Sequence, residues 1–400
     1  MLIYWVWLSN CLDAGSAHLK PLLDKYGTPK AIYKTSISEL QASYLVSSNE
    51  LKRFNNKALD RAQSIIEECE QTKIEIVPFD GENYPPLLKE IPNPPACLYF
   101  KGKFKEFSKA PNVCIVGSRK ATDYGIKSAW SLAARLAGGG IIVLSGGALG
   151  IDAASHEGAL AVGGKTVAVV PCGLNYGYLK TNEFLRGLIT DNGCLVSELP
   201  PSTPLYRNAF QLRNRLLSGM TLGVVVVEAS EKSGALITAR HALEQGRDVF
   251  VVTGRPNDPN HSGSNALLRD GAKPVFSALD IFNDYEDKFP NLIDSKRAMD
   301  ENIIRLYKAF NSPKMFEREK VYTPSEQVAE EKVKKIKKNI DETLPKNVKI
   351  VYNHIDTDLF TVDDLMSSGL NFEEILSAVT QLELYGYIKA VPGGRYSIIF

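Results

Sequence analysis

Val113-Cys-Ile-Val-Gly-Ser-Arg119 and Ile141-Ile-Val-Leu-Ser-Gly-Gly-Ala-Leu-Gly-Ile-Asp152 decide the fold. Each opens on an apolar run short enough for a buried strand, breaks at small residues and continues into a segment of helical character. A strand, a glycine turn and a helix in that order aim backbone N–H groups and a helix N-terminus at one spot, which suits a phosphate. The first turn adds a fixed cation, Arg119. The phosphate belongs to a nucleotide or to a nucleic acid, and these two stretches alone leave both open.

Working outward, residues 112–285 hold seven such apolar runs: Val113–Val116, Ile141–Leu144, Thr166–Val170, Cys194–Val196, Leu222–Val227, Val249–Val252 and Pro274–Phe276. Val and Ile dominate them, and helix-length segments separate them. That pattern predicts an α/β domain with a mostly parallel sheet covered by helices on both faces. Eleven of the thirty glycines lie between Gly117 and Gly164, so the tight turns gather at one end of the unit.

The flanks differ in character. Residues 1–71 read as a small helical, SAM-like domain: Leu19, Leu22, Leu23 and Tyr26 keep a helical period, Gly27 stops it, and Ser36-Ile-Ser-Glu39 has the pattern of a capping box. The Tyr26-Gly-Thr-Pro29 turn fits a helix-hairpin-helix nucleic-acid module or a plain packing domain. Residues 72–111, with Tyr84-Pro-Pro86 and Ile91-Pro-Asn-Pro-Pro95, are expected to form an extended proline-rich connector. Residues 286–346 are a charged linker, in which Glu330-Glu-Lys-Val-Lys-Lys-Ile-Lys-Lys338 reads as a solvated segment or as a DNA-binding arm. Residues 347–400 suggest three short helices and two strands around Pro392-Gly-Gly394, the plan of a winged helix. Its third helix, Asn371–Tyr385, carries three glutamates and no lysine or arginine. That composition disfavours the major groove and favours a structural or partner role.

Composition narrows the classes. The 400 residues are 44% hydrophobic and 23% charged with a formal net charge of +1, so any nucleic-acid surface has to be local. The six cysteines form no Cys-x-x-Cys pair and the five histidines have no metal-ligand spacing, which fits reduced core thiols in a cytoplasmic protein with no structural metal. Met1–Leu8 is apolar but lacks a basic flank and is too short to span a bilayer. No membrane association is expected.

In open α/β sheets, ligands bind beyond the carboxyl ends of the strands. Four turns qualify: Gly117-Ser-Arg119, Ser145-Gly-Gly-Ala148, Cys172–Asn182 and Ser233–Thr238. Their candidate contacts are Gly117, Ser118, Arg119, Ser145, Gly146, Gly147, Lys180, Ser233, Gly234 and Thr238. Glycine lets backbone approach a ligand, hydroxyls donate, and Arg119 can grip a phosphate with two parallel bonds. Arg213 and Arg215 lie close to Tyr206, Arg207 and Phe210. This cluster reads as a phosphate-and-stacking surface for single strands, or as a helix whose arginines pair with carboxylates of the sheet domain. No Gly-x-Gly-x-x-Gly opens the first helix, and there is no phosphate loop of the ATPase type or nucleophile elbow. His156 and His241 have no evident nucleophile partner. Glu228, at a strand end, is a candidate base or a loop-orienting carboxylate.

Taken together, these residues resemble the DNA-processing protein A family, also called Smf. That family carries Gly-Ser-Arg, then Ser-Gly-Gly-Ala-x-Gly-Ile-Asp, then Phe-Pro-x-Arg-Asn-Arg, then Glu with Ser-Gly-Ser-Leu-x-Thr-Ala. Here they stand as Gly117-Ser-Arg119, Ser145–Asp152, Phe210-Gln-Leu-Arg-Asn-Arg215 and Glu228 with Ser233–Ala239, followed by Gly263–Ala272. Three prolines of the family pattern are replaced, at Leu179, Gln211 and Thr253. The resemblance implies an extended Rossmann-like domain that binds single-stranded DNA without ATP or another cofactor. It further implies homodimerisation and the loading of RecA recombinase during natural transformation, with Arg119, Ser145, Gly146, Gly147 and Lys180 lining the DNA pocket. The alternative is a small-nucleotide enzyme or sensor. The chain also resembles nucleoside-monophosphate phosphoribohydrolases in its glycine turns, but has Glu228-Ala-Ser-Glu-Lys-Ser-Gly-Ala235 where they carry Pro-Gly-Gly-x-Gly-Thr. A scaffold role for the tail is compatible with the first reading.

Overall fold

Each of the seven apolar runs forms a strand, and two further strands join them in one nine-stranded sheet of order β1-β2-β6-β5-β4-β3-β7-β8-β9. A computed structural model describes residues 1–103, 107, 110–177, 182–299, 341, 344–355, 359–360, 362–391 and 395–398. The strands are β1 Glu75–Pro78, β2 Cys97–Gly102, β3 Asn112–Val116, β4 Ile142–Ser145, β5 Thr166–Val169, β6 Cys194–Ser197, β7 Gly223–Val226, β8 Asp248–Val252 and β9 Lys273–Val275. Neighbours from β6 to β9 are parallel, while β1 pairs β2 and β2 pairs β6 antiparallel. β1 and β2 correct the expectation of an extended connector over 72–111. The prolines lie between the two strands, where they shape a short helix, Pro86–Glu90, and leave Ile76–Val77 and Cys97–Phe100 able to pair.

Side chains alternate through the sheet as the pleat requires. Val113 and Ile115 of β3 enter one apolar core, with the helices Asp123–Gly138, Ile151–Ala161 and Leu279–Tyr285; Cys114 and Val116 enter the other, with Ala209–Gly219 and Gly234–Glu244. Full burial of each such Val or Ile contributes about 1.5–3 kcal/mol. In chain order the helices are α1 Leu2–Cys11, α2 Leu19–Tyr26, α3 Pro29–Lys34, α4 Ile37–Ala42, α5 Ser48–Phe54, α6 Asp60–Gln71, α7 Pro86–Glu90, α8 Asp123–Gly138, α9 Ile151–Ala161, α10 Glu183–Asn192, α11 Ala209–Gly219, α12 Gly234–Glu244, α13 Ser262–Arg269 and α14 Leu279–Tyr285.

The N-terminal helices α1–α6 do not stand apart. Trp5, Leu8 and Leu22 share one apolar cluster with Cys97, Tyr99, Ala168 and Leu195 of the sheet. Ser36 caps α4 by accepting from the Glu39 N–H, and the full reciprocal box forms one helix later, at Ser47 and Glu50. The chain divides into two compact units, Met1–Phe316 and Glu317–Phe400. Most of the charged segment 286–346 lies outside the described residues. In the second unit, α15 Lys346–His354 and α16 Phe372–Leu384 pack around Val348, Val351, Ile375 and Leu382. Asn371 and Glu374 form a capping box on α16. The strands β11 Ile388–Val391 and β12 Arg395–Ile398 pair antiparallel, and β10 Leu359–Phe360 pairs β12. The Pro392-Gly-Gly394 turn lies outside the described residues.

Candidate nucleic-acid interface

The sheet order puts the carboxyl end of β3 between those of β4 and β7. From β3 the chain winds to β6 on one side, then crosses to β7, β8 and β9 on the other. The turn after β3 therefore sits at the switch point, where an open α/β sheet leaves a crevice.

That turn is built from below. Glu228, fully buried just past β7, accepts from the Thr122 N–H (3.2 and 3.1 Å to its two oxygens) and from the Thr122 hydroxyl (2.6 Å). Thr122 in turn caps α8 by accepting from the Gly125 N–H at 3.2 Å. The Ser118 N–H donates to the Glu228 carbonyl (2.8 Å), and the Ile151 N–H donates to the Ser118 carbonyl (3.2 Å). Glu228 is thus a loop-orienting carboxylate, already occupied, and not a base. Arg119 emerges from this clamped turn exposed to solvent, its guanidinium carbon 4.5 Å from the centre of the Phe210 ring. Lys120 beside it is exposed as well.

The second turn is held by a buried arginine and a buried aspartate. Arg213, 6% exposed, donates through Nη1 to the carbonyls of Gly146 (2.7 Å) and Val169. Burial pushes the Asp152 carboxyl up from its ordinary range, with Arg213 opposing it, and Asp152 accepts the Ala148 N–H at 3.3 Å. A side chain at Gly146 would meet Arg213 Nη1 and Asp152 Oδ2, each at 2.6 Å. The Ser145 hydroxyl donates to the Ile115 carbonyl (2.6 Å) and ties β4 to β3. Asn182 donates to the carbonyls of Gly147 (3.4 Å) and Ala148 (3.3 Å).

The sequence-based candidates therefore separate. Gly117, Ser118 and Arg119 share the switch-point turn, with Arg119 outermost. Ser145, Gly146, Gly147 and Arg213 come together beneath the edge, buried. Arg215 corrects the expectation of a surface cation. It is 2% exposed and paired with Glu198 at 2.5 Å. Glu198 also accepts the Gly15 N–H (3.3 Å), so Arg215 anchors the N-terminal helices. Ser233 caps α12 by accepting from the Ala235 N–H (3.3 Å), Gly234 is exposed beside it and Thr238 is buried one turn on. Lys180 lies outside the described residues. Sequence reasoning assigned no role to Asp152, Thr122, Asn182 or Lys120. Of these only Asp152 carries a sequence signal, a carboxylate set between Ile151 and Ala153 at the start of a largely apolar helix.

Residues 75–286 match the family model described as DNA recombination-mediator protein A. The chain belongs to that family. Membership makes it a DNA-processing recombination mediator and not a catalytic enzyme. Among family relatives, the DNA processing protein DprA of Bacillus subtilis is 38% identical over 240 residues, 60% of this chain and 80% of that one. Protein Smf of Escherichia coli is 32% identical over 327 residues, 81% of this chain and 78% of that one. The X-ray structure of DNA processing protein A from Streptococcus pneumoniae superposes with a TM-score of 0.63 at 29% identity, covering 72% of this chain and 99% of that one. The family's Rossmann-like sheet is thus the sheet described above. Among the described residues no helix is long and apolar enough to cross a membrane.

Proposed function

We propose that this recombination mediator binds single-stranded DNA at the carboxyl edge of its sheet, with Arg119 as the principal phosphate contact. The observation that carries the reading is the exposed Arg119 guanidinium lying 4.5 Å over Phe210 at the switch point. Stacking fixes the plane of the guanidinium and leaves its N–H edge for a phosphate. Exposed Tyr206 and Arg207 continue that surface. Aromatic faces next to cations take unstacked bases, which single strands offer and duplexes hide. The inner glycine turns shape this edge: the Ser118 and Ala148 N–H groups already have partners in the protein, so contact passes outward to side chains. The buried Arg213 and Asp152 act as positioning residues.

Within the same proposal the protein protects the bound strand and loads RecA onto it, working as a cytoplasmic homodimer. These steps follow the family resemblance. The 347–400 unit is read as a winged helix that docks a protein, because the α16 face carries glutamates and no basic residue. The test is binding of oligo-dT, of the matching duplex and of AMP over a salt series. The reading expects tight, salt-sensitive preference for the single strand. Binding of AMP alone contradicts it and returns the glycine turns to a small-nucleotide role, and binding of none of the three contradicts it and leaves the turns without a nucleotide ligand.

A further inference from the structure

Beyond Arg119, the same edge carries an apolar ledge that nothing above uses. α10 turns Leu185 and Ile189 into the core and leaves Phe184 (69%) and Leu188 (37%) exposed, one helical turn apart. Leu149, in the loop after β4, is 43% exposed. The backbone ties these residues to the phosphate contact. Gly150 packs against the carbonyls of Ser118 and Arg119, a Cβ there falling 2.3 and 2.8 Å from their oxygens. Leu149 precedes Gly150. The carbonyl of Ala148 accepts from Asn182, which stands two residues before Phe184. The backbone segments that carry Arg119, Leu149 and Phe184 are therefore tied to one another at the carboxyl edge of the sheet.

Resting on the single-strand reading, we infer that Phe184, flanked by Leu149 and Leu188, is a base-stacking ledge for the strand whose phosphate Arg119 holds. The occupant is a nucleobase for two reasons. The first turn of α10 carries Glu183, whose charge a phosphate avoids, so the strand meets this helix with its bases. The leading exposed side chain is aromatic, and a lone aromatic face beside a phosphate contact takes a base whatever its identity.

The test uses the full chain and four ligands: oligo-dT, oligo-dA, a strand of equal length made of abasic sites, and the matching duplex. Phe184→Ala should weaken oligo-dT and oligo-dA binding about 5- to 150-fold, the range set by losing one stacked base. It should leave the salt slope unchanged, because no phosphate contact is lost. Abasic-strand affinity should be the same for both proteins, and Phe184→Trp should restore binding to oligo-dT. Equal affinity of Phe184→Ala and the parent for oligo-dT overturns the ledge while the phosphate reading stands. A fall in salt slope, or equal losses on abasic and base-bearing strands, overturns it as well. A parent that binds no single strand removes the ledge together with the reading beneath it. Phe184 is mostly exposed, so the alanine variant is expected to keep the parent's melting temperature.

Discussion

At the scale of single residues, the edge depends on groups that never meet the solvent. Gly150 has φ +75° and faces the Ser118 carbonyl, where a Cβ would lie 2.3 Å from the oxygen. Gly150→Ala should therefore destabilise the fold by more than about 1 kcal/mol and weaken DNA binding by shifting Arg119. A thermal melt with a binding titration checks both, and a melt equal to the parent's refutes the first. His156 gives a pH prediction. Its Nδ1 lies 2.6 Å from the Thr166 hydroxyl, whose own proton goes to the Val143 carbonyl, so the neutral ring donates through Nδ1. Burial lowers its pKa from 6.5 to about 3. Because the unfolded chain takes up this proton first, its contribution to stability is complete above pH 6.5 and is lost as pH falls from there toward 3. Melts between pH 7 and 5 should show the decline, and His156→Gln should reduce it. Arg119 was legible as a cation on a glycine turn. The burial of Arg213 and Arg215 was legible only as one of two readings of their helix, because composition gives the charge of a helix but not which of its faces the sheet covers.

At the scale of elements, Thr122 joins three parts of the site: it caps α8, binds Glu228 and fixes the turn bearing Arg119. Thr122→Ala removes a cap and one hydroxyl bond to a buried carboxylate. The expected cost is about 1–3 kcal/mol, read as a lower midpoint in urea. An unchanged midpoint would show that Glu228 finds water instead. The seven strands of the parallel region were legible because strands buried on both faces read as short Val- and Ile-rich runs. β1 and β2 were obscured by the prolines between them, although Cys97-Leu-Tyr-Phe100 is itself an apolar run. The N-terminal helices were legible by period and caps. Their shared core with the sheet was not, since Trp5, Leu8 and Tyr99 do not reveal their partners by spacing.

At the scale of the molecule, the two compact units predict separable folding. The fragments 1–299 and 341–400, made separately, should show distinct unfolding transitions, and the 1–299 fragment should keep the parent's affinity for oligo-dT. Loss of binding by that fragment would move the DNA contact to the second unit. A net charge of +1 means that affinity comes from a local edge rather than a global field, so few phosphates carry the salt dependence. The most direct measurement is therefore the salt dependence of oligo-dT affinity for Arg119→Ala beside the parent. The account predicts weaker binding across sequences and a log–log slope smaller by ~0.7, one phosphate contact. An unchanged slope at unchanged affinity would take Arg119, and with it the switch-point edge, out of the DNA interface.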